Sequence, residues 1–556
     1  MKRAPAVLVV ALIVLSAALY GLTNGALGAP AASPATGLLA SPSPAASATP
    51  TPPPTPAPTP SPTPSPSPVP PVAAAIVPVT QFRTPYAATS VEEVASVLAG
   101  ASKRYAALVL VEADAEPILA ALGLIAPSPR AEPAGATLVL LPDAAALRAD
   151  LAAHRDRLAV VRATEVDPSV RALAWGDTAL FGVDRVSAIG DWPLMAEFEA
   201  VLDPNGVPDP AAAANATFSP DGLWTMVAGG DVLLDRGVAK TVKVDKKGVD
   251  FPFDGGAAEI TSRYCCSSFG WELPRTKRTG NGGAMRAYLQ TADLAIANFE
   301  NPAPAKFRFH TSGTVFTADP ALIEGLANAG IDFVSLANNH IRDAGAQGIL
   351  DTIRHLDAWG IAHGGAGKDL AAARAPTMLE ANGTTVAILG RDAIAGGYAA
   401  TATRVGSAPL QTKAIRADIA AARAAGADVV IVFPHWGTEY DPTPFTSQQN
   451  LARAIIDAGA DMVIGNHAHW AAALEVYEGR PIWYALGNFV FDQTWSEPTM
   501  EGITVELTFD GATLIQARMR PHIILDKAQP NFLDPAGDGR AVLGPMYDAS
   551  KGLLPY

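Results

Sequence analysis

The sequence contains only two cysteines, Cys265 and Cys266, and they are adjacent. No CxxC pair is present, which argues against zinc knuckles and thioredoxin-like redox sites. Secreted proteins usually pair their cysteines, yet ordinary disulfides need well-separated Cα atoms. Three states of this pair therefore remain open: two small residues in a loop insert, a disulfide between the neighbours, or an intermolecular bridge.

The sequence also lacks any run of basic residues. Its 40 Lys and Arg stand against 54 Asp and Glu, which gives a formal net charge of -14. Because nucleic-acid binding needs concentrated positive charge, we expect no nucleic-acid partner. The 556 residues are 49% hydrophobic, enough for several domains with buried cores.

Charged residues are absent between Arg3 and Arg83. Lys2 and Arg3 precede an apolar run over residues 6–22, and residues 26–28 offer a small-x-small cleavage site. This pattern predicts a signal peptide or an uncleaved N-terminal membrane anchor over residues 1–28. Residues 29–72 are almost all Pro, Ala, Ser and Thr, which predicts a disordered, extended linker.

From these features we expect an extracytoplasmic protein, either secreted or anchored at the cell envelope. We expect the protein to contact the membrane only through its N-terminal segment. Residues 73–215 alternate apolar strand patterns with helical ones, which predicts a small α/β domain without a catalytic constellation. Residues 221–526 repeat a longer theme of apolar strand, polar cluster and helix, and residues 527–556 form a predicted C-terminal tail.

Polar side chains follow the apolar strands of the region 221–526, where each strand ends. These clusters contain Asp231, Asn298, Glu300, Asn338, Asn339, His340, His435, His467 and His469. Ligands of open α/β sheets bind at this edge. A helix cap, an Asx turn or a core histidine could explain any one of them alone. Together they form a nitrogen and oxygen ligand set suited to Zn, Mn or Fe.

Six ordered segments carry a family resemblance: AGGDVLLDR, IANFENP, SLANNHIRDAG, FPHWGTEY, VIGNHAHW and YALGNFVFDQ. They resemble the motifs of the CapA family, the poly-γ-glutamate capsule synthesis proteins, which is related to the calcineurin-like metallophosphoesterases. The resemblance covers residues 224–520. It implies a metallophosphatase-like four-layer α/β sandwich with a dinuclear metal site, here preceded by the smaller α/β domain and the linker.

The resemblance implies six ligands for two divalent ions, Mn, Fe or Zn: Asp231, Glu300, Asn339, His435, His467 and His469. Asp231 and His469 would hold the first ion, and Glu300 would bridge the two. Asn339, His435 and His467 would complete the second. We expect His467 and His469 on one side of an extended strand, each serving a different ion.

Three further residues are expected to act beside the ions. The resemblance makes His340 the general acid for the leaving group, and Asp343 would orient it. Arg236 should lie in the first turn after the strand that carries Asp231, where it could contact an anion. The insert at residues 240–285 could form a lid that brings Arg275 or its basic neighbours to a substrate, or a solvated loop.

One position departs from the family pattern. Metallophosphoesterases usually open with Asp-x-His, whereas Leu233 stands two residues after Asp231. The first ion could therefore be weakly held, or a single ion could suffice. Two functions stay open: a metal-dependent hydrolase or transferase of capsule or poly-γ-glutamate biosynthesis, acting on an anionic envelope polymer or phosphoester, and a non-catalytic envelope protein that assembles, exports or anchors such a polymer. We favour the enzyme.

Overall fold

The computed structural model describes residues 71–125, 137–200, 218–394 and 396–555. The predicted signal peptide or anchor, and all but the last two residues of the predicted linker, lie outside these ranges. Within them, no helix combines the length and apolarity needed to span a membrane.

The N-terminal domain is built on a six-stranded sheet. The strands run in the order Leu138–Leu141, Ala107–Val111, Arg157–Arg162, Val72–Gln81 and Val170–Ala172, with Met195–Phe198 also paired to Val72–Gln81. The first three are parallel to one another, and Val72–Gln81 is antiparallel to its neighbours. The segments VEEVASVLAG and DAAALRADLAAHRDRL, whose patterns predict helices, form Val91–Leu98 and Ala144–Ala153. A further helix spans Ala115–Ala121.

The second domain begins with an eight-stranded sheet, called here the first sheet. Its order is Ala362–Gly364, Phe333–Ser335, Leu294–Phe299, Leu223–Val232, Glu501–Asp510, Thr513–Leu525 and Gln529–Phe532, with Asn488–Val490 also paired to Leu223–Val232. The first four strands and Asn488–Val490 are parallel, and the last three are antiparallel. The alternating segments GITVELTFDG and TLIQARMRPHIIL predict an antiparallel pair, and the strands Glu501–Asp510 and Thr513–Leu525 confirm it.

The second sheet of this domain has six strands. Its order is Thr377–Ala381, Thr384–Asp392, Val429–His435, Met462–Ile464, Arg480–Trp483 and Leu474–Tyr477. The four central strands are parallel, and one antiparallel strand closes each edge.

Alternate side chains of the strands face different layers. Met226 and Ile296 of the first sheet pack in one core with Ile431 of the second sheet. The intervening Val227 packs on the outer side against helices Ala284–Thr291, Ile323–Asn328 and Gly345–Ala358. The outer side of the second sheet packs on helices Thr412–Ala424 and Thr446–Asp457. The order helix, sheet, sheet, helix is the expected four-layer α/β sandwich.

Residues 527–555 belong to this sandwich and do not form the separate tail that the sequence suggested. Gln529–Phe532 is the edge strand of the first sheet. The helix Arg540–Ala549 places Val542 and Met546 in the core between the sheets. A four-residue strand carries little periodic pattern, so only its pairing with Thr513–Leu525 reveals it.

The apolar segment RPIWYALGNFVF, which reads as one strand in the sequence, contributes to both sheets. Arg480–Trp483 lies in the second sheet and Asn488–Val490 in the first. Between them Gly487 has φ of +79°, and a Cβ there would lie 2.9 Å from the backbone nitrogen of Ala471. This glycine lets the chain cross between the sheets next to the strand ends.

Candidate metal centre

The predicted ligands meet where the carboxyl ends of the two sheets come together. Asp231 lies near the end of Leu223–Val232, and Glu300 follows Leu294–Phe299 directly. His435 is the last residue of Val429–His435 in the second sheet. All three side chains are fully buried. The centre is thus built from rigid strand ends that are held by the core on both sides.

One group of ligand atoms surrounds the ring of His435. Its Nε2 lies 2.8 Å from Oδ1 of Asn339, 3.0 Å from Nδ1 of His467 and 3.5 Å from Oε1 of Glu300. Two imidazoles, an amide oxygen and a carboxylate suit borderline divalent ions. The structure brings together the four residues expected for the second ion.

The ligand group expected for the first ion shares Glu300 with the group around His435, which is the one expected for the second ion. Nδ1 of His469 lies 3.4 Å from Oδ2 of Asp231, and its Nε2 lies 3.7 Å from Oε1 of Glu300. Possible ligand atoms of these three residues all lie within 4.8 Å of one another. Since Glu300 belongs to both groups, it stands where a bridging carboxylate would stand.

The carboxylate of Glu300 is the observation that tests whether a cation fits. Both of its oxygens are buried, and neither has a hydrogen-bond partner within the described ranges. A buried carboxylate without hydrogen bonds is costly unless a cation compensates it. The residues present therefore fit a divalent metal centre.

The pKa values of the ligands also indicate competition for positive charge. Burial alone would raise the pKa of the Asp231 carboxyl, but the hydrogen bond and charge of His469 outweigh it and bring the pKa below its usual value. Burial would lower the pKa of His469, yet the charge of Glu300 and the bond to Asp231 raise it to about 9. Cations at this centre would therefore replace protons.

His467 differs from the other two imidazoles. Burial, together with the charges of His435 and His469, lowers its pKa far below the usual value. The pKa of His435 is raised, because the charge of Glu300 outweighs its burial. His467 is thus held as the neutral imidazole, the form that ligates metals.

Two asparagines fix the orientation of ligands. Asn298 Nδ2 donates a hydrogen bond to Asp231 Oδ1 at 2.7 Å. Asn488 Oδ1 lies 2.9 Å from Nδ1 of His469, which leaves Nε2 of that ring as the ligand atom. Partners of this kind set ligand orientation and affinity. Asn488 lies inside the motif YALGNFVF but was not among the site residues predicted from the sequence.

The prediction that His467 and His469 share one face of an extended strand is wrong. The strand ends at Ile464, and φ is +92° at His467 and +56° at His469. The chain turns at the edge of the sheet, where regular strand pairing has stopped. Left-handed backbone at non-glycine residues is strained and is typical of functional sites.

A cavity of about 610 Å³ opens above the ligands. Asn339, His340, His469 and Arg236 all line it. Nδ1 of His340 lies 2.8 Å from Oδ2 of Asp343, and that oxygen also accepts a hydrogen bond from the backbone of Phe316 at 2.7 Å. His340 is therefore held with Nε2 as the nitrogen that can reach a substrate.

Arg236 lines the cavity, but its guanidinium is already engaged. It pairs with Asp492, donates to the backbone oxygen of Gly313 at 2.9 Å and lies 4.5 Å from the ring centroid of Phe316. Lys527 lines the same cavity and has no ion pair within the described part of the chain. No local sequence signal pointed to Lys527, because its position depends on the strand pairing of residues 513–532.

The insert at residues 240–285 forms a hairpin of Ala258–Tyr264 and Leu273–Arg278. Arg278 binds Asp526 at 2.9 Å, and neither Arg275 nor Lys277 lines the cavity. The hairpin instead contributes Phe269, which lies 5.6 Å from the ring of Trp495. The hairpin therefore does not bring a cation to the cavity, as the lid considered from the sequence would. It contributes an aromatic side chain instead.

Among the states left open for the cysteines, the structure has the disulfide between neighbours. Cys265 and Cys266 are joined to each other directly after the first strand of the hairpin.

Two residues near the ligands, Leu233 and Glu439, bear on which side chains could bind the ions. Leu233, at the position of the missing histidine, is buried against Phe316, Phe491 and Ile524. The first ion would therefore have no imidazole ligand there. Glu439, a residue of FPHWGTEY that was not predicted as a ligand, has a carboxylate oxygen within 4.8 Å of ring nitrogens of His467 and His469.

Sequence comparisons place the chain among known proteins. The profile of the family described as "Bacterial capsule synthesis protein PGA_cap" matches residues 225–493. The capsule biosynthesis protein CapA of Bacillus anthracis is 35% identical over 276 residues, which cover 48% of this chain and 67% of that protein. The PGA biosynthesis protein CapA of Bacillus subtilis is 36% identical over 212 residues, covering 37% and 56% respectively. A probable polyglutamine synthesis accessory protein of Mycobacterium tuberculosis is 30% identical over 298 residues, covering 49% and 76%.

Solved structures resemble the chain more distantly. The NAD nucleotidase of Haemophilus influenzae gives a TM-score of 0.33 at 11% identity and covers 54% of this chain and 50% of that one. The calcineurin-like phosphoesterase YfkN of Bacillus subtilis gives 0.29 at 12% identity, covering 59% and 98%. The fold assignment rests on the strand order and layers described above. The sequence match, in contrast, assigns the family: this chain belongs to the bacterial capsule synthesis proteins of the PGA_cap family, together with the CapA proteins.

Proposed function

We propose that this protein is an extracytoplasmic, metal-dependent hydrolase or transferase of capsule or poly-γ-glutamate biosynthesis. The observation that carries the chemistry is the buried carboxylate of Glu300, which is shared by two ligand groups and has no hydrogen-bond partner in the described residues. The biosynthetic process comes from the names of the Bacillus relatives. The extracytoplasmic location comes from the export pattern of residues 1–28.

In this proposal Asp231 and His469 would hold one ion, His435 and His467 would hold the other, and Glu300 would contribute to both. Asn339 adds its amide oxygen to the second group. Divalent ions bound there would supply Lewis-acid activation of a phosphoryl or acyl group and of an attacking water.

The chain's own residues would position the substrate and move the proton. His340 donates a proton from Nε2 to the leaving group, since Asp343 occupies Nδ1. Lys527 attracts the anionic groups of an envelope polymer or phosphoester into the cavity. Arg236, held by Asp492, shapes the cavity wall and keeps one face of Phe316 covered.

One observation favours a second candidate function. The buried Leu233 leaves the first ligand group of Asp231, Glu300 and His469 without the additional imidazole that metallophosphoesterases usually have. A centre that holds one ion, or none, would suit a non-catalytic envelope protein. Such a protein would assemble, export or anchor the anionic capsule polymer.

Elemental analysis of the purified protein tests the proposal first. We expect close to two equivalents of Mn, Fe or Zn in the natural protein and loss of metal in His467→Ala and Asp231→Ala. His154→Ala, an exposed histidine of the N-terminal domain, is the matched control and should leave the metal content unchanged. Hydrolysis of phosphoesters or γ-glutamyl amides by the loaded protein, lost in the same two variants, would support the enzyme.

Either of two results would contradict it. Absence of metal after incubation with Mn, Fe and Zn salts would remove the proposed chemistry and favour the polymer-assembly function. Full metal content in His467→Ala would show that the ligand assignment is wrong.

A further inference from the structure

A second cavity, of about 470 Å³, lies between the N-terminal domain and the helix Arg540–Ala549. Four arginines from separate segments line it: Arg83, Arg104, Arg155 and Arg540. None of its lining residues lines the cavity above the metal ligands. It is therefore a distinct feature of the surface, which we call the arginine cavity.

The arginine cavity concentrates positive charge in a chain whose net charge is -14. The side chains of Arg104, Arg155 and Arg540 are exposed, and none of the three forms an ion pair with a carboxylate in the ranges that the structure describes. Asp156 is the one carboxylate in the lining. Grouping several guanidinium groups in one concavity raises the local concentration of anions.

The buried wall of the cavity adds to this charge. Arg171 lies beneath it, 6% exposed, and donates from Nη1 to the backbone oxygen of Thr84, a lining residue, at 2.8 Å. Its Nε is buried and has no partner within the described ranges. Burial raises the pKa of Tyr547, another lining residue, while the charges of Arg171, Arg83 and Arg155 oppose that rise. These cations therefore converge on one wall.

The remaining lining decides what kind of anion fits. Pro85, Tyr86, Pro535, Leu543 and Tyr547 give the cavity an apolar wall. A polyphosphate, charged at every unit, would leave this wall without matching contacts. A chain with aliphatic carbons between its carboxylates would pack the carbons there and present the carboxylates to the guanidinium forks.

We propose that the arginine cavity binds a segment of an acidic chain whose carboxylates are separated by aliphatic carbons. The site would hold such a chain independently of the metal centre. It gives the N-terminal domain a role in binding, since three of the four arginines belong to that domain. Arginine supports this recognition better than lysine would, because its planar fork matches a carboxylate.

Calorimetric titration of the full-length protein with a short γ-linked glutamate oligomer tests the site. We expect Arg104→Gln and Arg540→Gln each to weaken binding about tenfold, the typical effect of losing one charged hydrogen bond. Arg416→Gln removes the same charge from an exposed position on the helix Thr412–Ala424 and should change nothing. Binding should weaken as the salt concentration rises.

Further titrations separate this site from the metal centre and from simple anion attraction. His467→Ala should keep the part of the oligomer binding that is lost in Arg104→Gln and Arg540→Gln, so a failed metal centre would leave this inference standing. Polyphosphate of matched charge and inorganic phosphate should bind more weakly than the glutamate oligomer. Equal or tighter binding of polyphosphate would overturn the proposed ligand, and undiminished binding by the double variant Arg104→Gln/Arg540→Gln would overturn the site.

Discussion

The two domains place polar side chains at the ends of parallel strands, yet they use them differently. In the N-terminal domain Asp114 follows the strand Ala107–Val111 and accepts hydrogen bonds from Nε and Nη2 of Arg162 at 3.0 and 2.6 Å. In the second domain Glu300 also follows a parallel strand, but its oxygens have no hydrogen-bond partner in the described residues. We call a buried carboxylate closed when a guanidinium pairs with it, and open when its oxygens have no hydrogen-bond partner. The closed carboxylate of Asp114 stabilises the fold, whereas the open carboxylate of Glu300, which lies among imidazoles, marks a cation site.

The largest expected effect is the removal of the open carboxylate. Glu300→Gln should lower the affinity for both ions more than about 100-fold, which exceeds the usual loss of an outer hydrogen-bond partner. In chelator above about pH 9, where His469 has lost the proton that the charge of Glu300 favours, the variant should be at least as stable as the natural protein, because the buried carboxylate charge is gone. Manganese titration and thermal unfolding in chelator measure the two quantities.

Asp114→Asn is the control for Glu300→Gln. It changes a carboxylate at the corresponding place in the N-terminal domain and should leave metal affinity unchanged. If Glu300→Gln kept its metal, or if it unfolded more readily than the natural protein in chelator above about pH 9, the distinction between closed and open carboxylates would fail.

Breaking the closed pair should act on stability alone. Arg162→Ala leaves Asp114, 5% exposed, without its guanidinium, and we expect a loss of about 2–3 kcal/mol in the free energy of unfolding of the domain. The substitution also removes the guanidinium that lies 3.8 Å from the ring centroid of Phe198. Denaturant unfolding measures the loss, and metal content should stay the same.

Arg148→Ala offers a matched comparison within the same domain. Arg148 and Asp167 form an ion pair at 3.0 Å with side chains 30% and 41% exposed. Because solvent screens such pairs, we expect a loss below about 1 kcal/mol. If Arg162→Ala and Arg148→Ala lost the same free energy of unfolding, the burial of the Asp114–Arg162 pair would not make it more important for stability than an exposed pair.

Asp343→Asn should affect turnover without affecting metal. The variant keeps an oxygen near Nδ1 of His340, but an amide can also turn its NH2 group there, so the ring is held less firmly in one orientation. We expect turnover of a phosphoester or γ-glutamyl amide to fall about 10–100-fold, with metal content unchanged. Separate values of kcat and KM check the cause, since the loss of a positioned proton donor should lower kcat and leave KM unchanged. A rise in KM of similar size would indicate lost packing of the cavity wall instead.

Much of the centre could be predicted because its signals are local. Glu300 and His435 each terminate an apolar run, and parallel strands bring such ends to one edge. The ordered motifs then assign the ligands. The backbone conformation beyond the strand ends could not be predicted from the sequence, because the positive φ of His467 and His469 depends on where strand pairing stops.

Long-range pairings explain most of what the sequence could not show. Asn488 reaches His469 only because the chain crosses between sheets at Gly487. The arginine cavity is invisible as a run of charges, since Arg104 and Arg540 lie far apart in the chain and meet only in the fold. Likewise, Arg236 was expected to contact an anion, but its ion pair with Asp492 makes it part of the cavity wall.

Arg236 and Lys527, which line the cavity above the metal ligands, also differ in whether a carboxylate pairs with them. Arg236 is closed by Asp492, whereas Lys527 has no ion pair in the described part of the chain. Lys527→Gln should therefore weaken inorganic phosphate binding to the manganese-loaded protein by about threefold, the modest effect of an exposed charge. Lys413→Gln, an exposed lysine of the helix Thr412–Ala424, should leave phosphate binding unchanged.

Salt separates these two cations further. The threefold difference for Lys527→Gln should disappear at about 1 M salt, where exposed charges are screened within about 3 Å. Arg236→Gln should instead lower stability at every salt concentration, because it leaves the half-buried Asp492 without its partner. If both variants changed phosphate affinity alone and to the same extent, pairing within the fold would not distinguish a structural cation from a ligand-binding one.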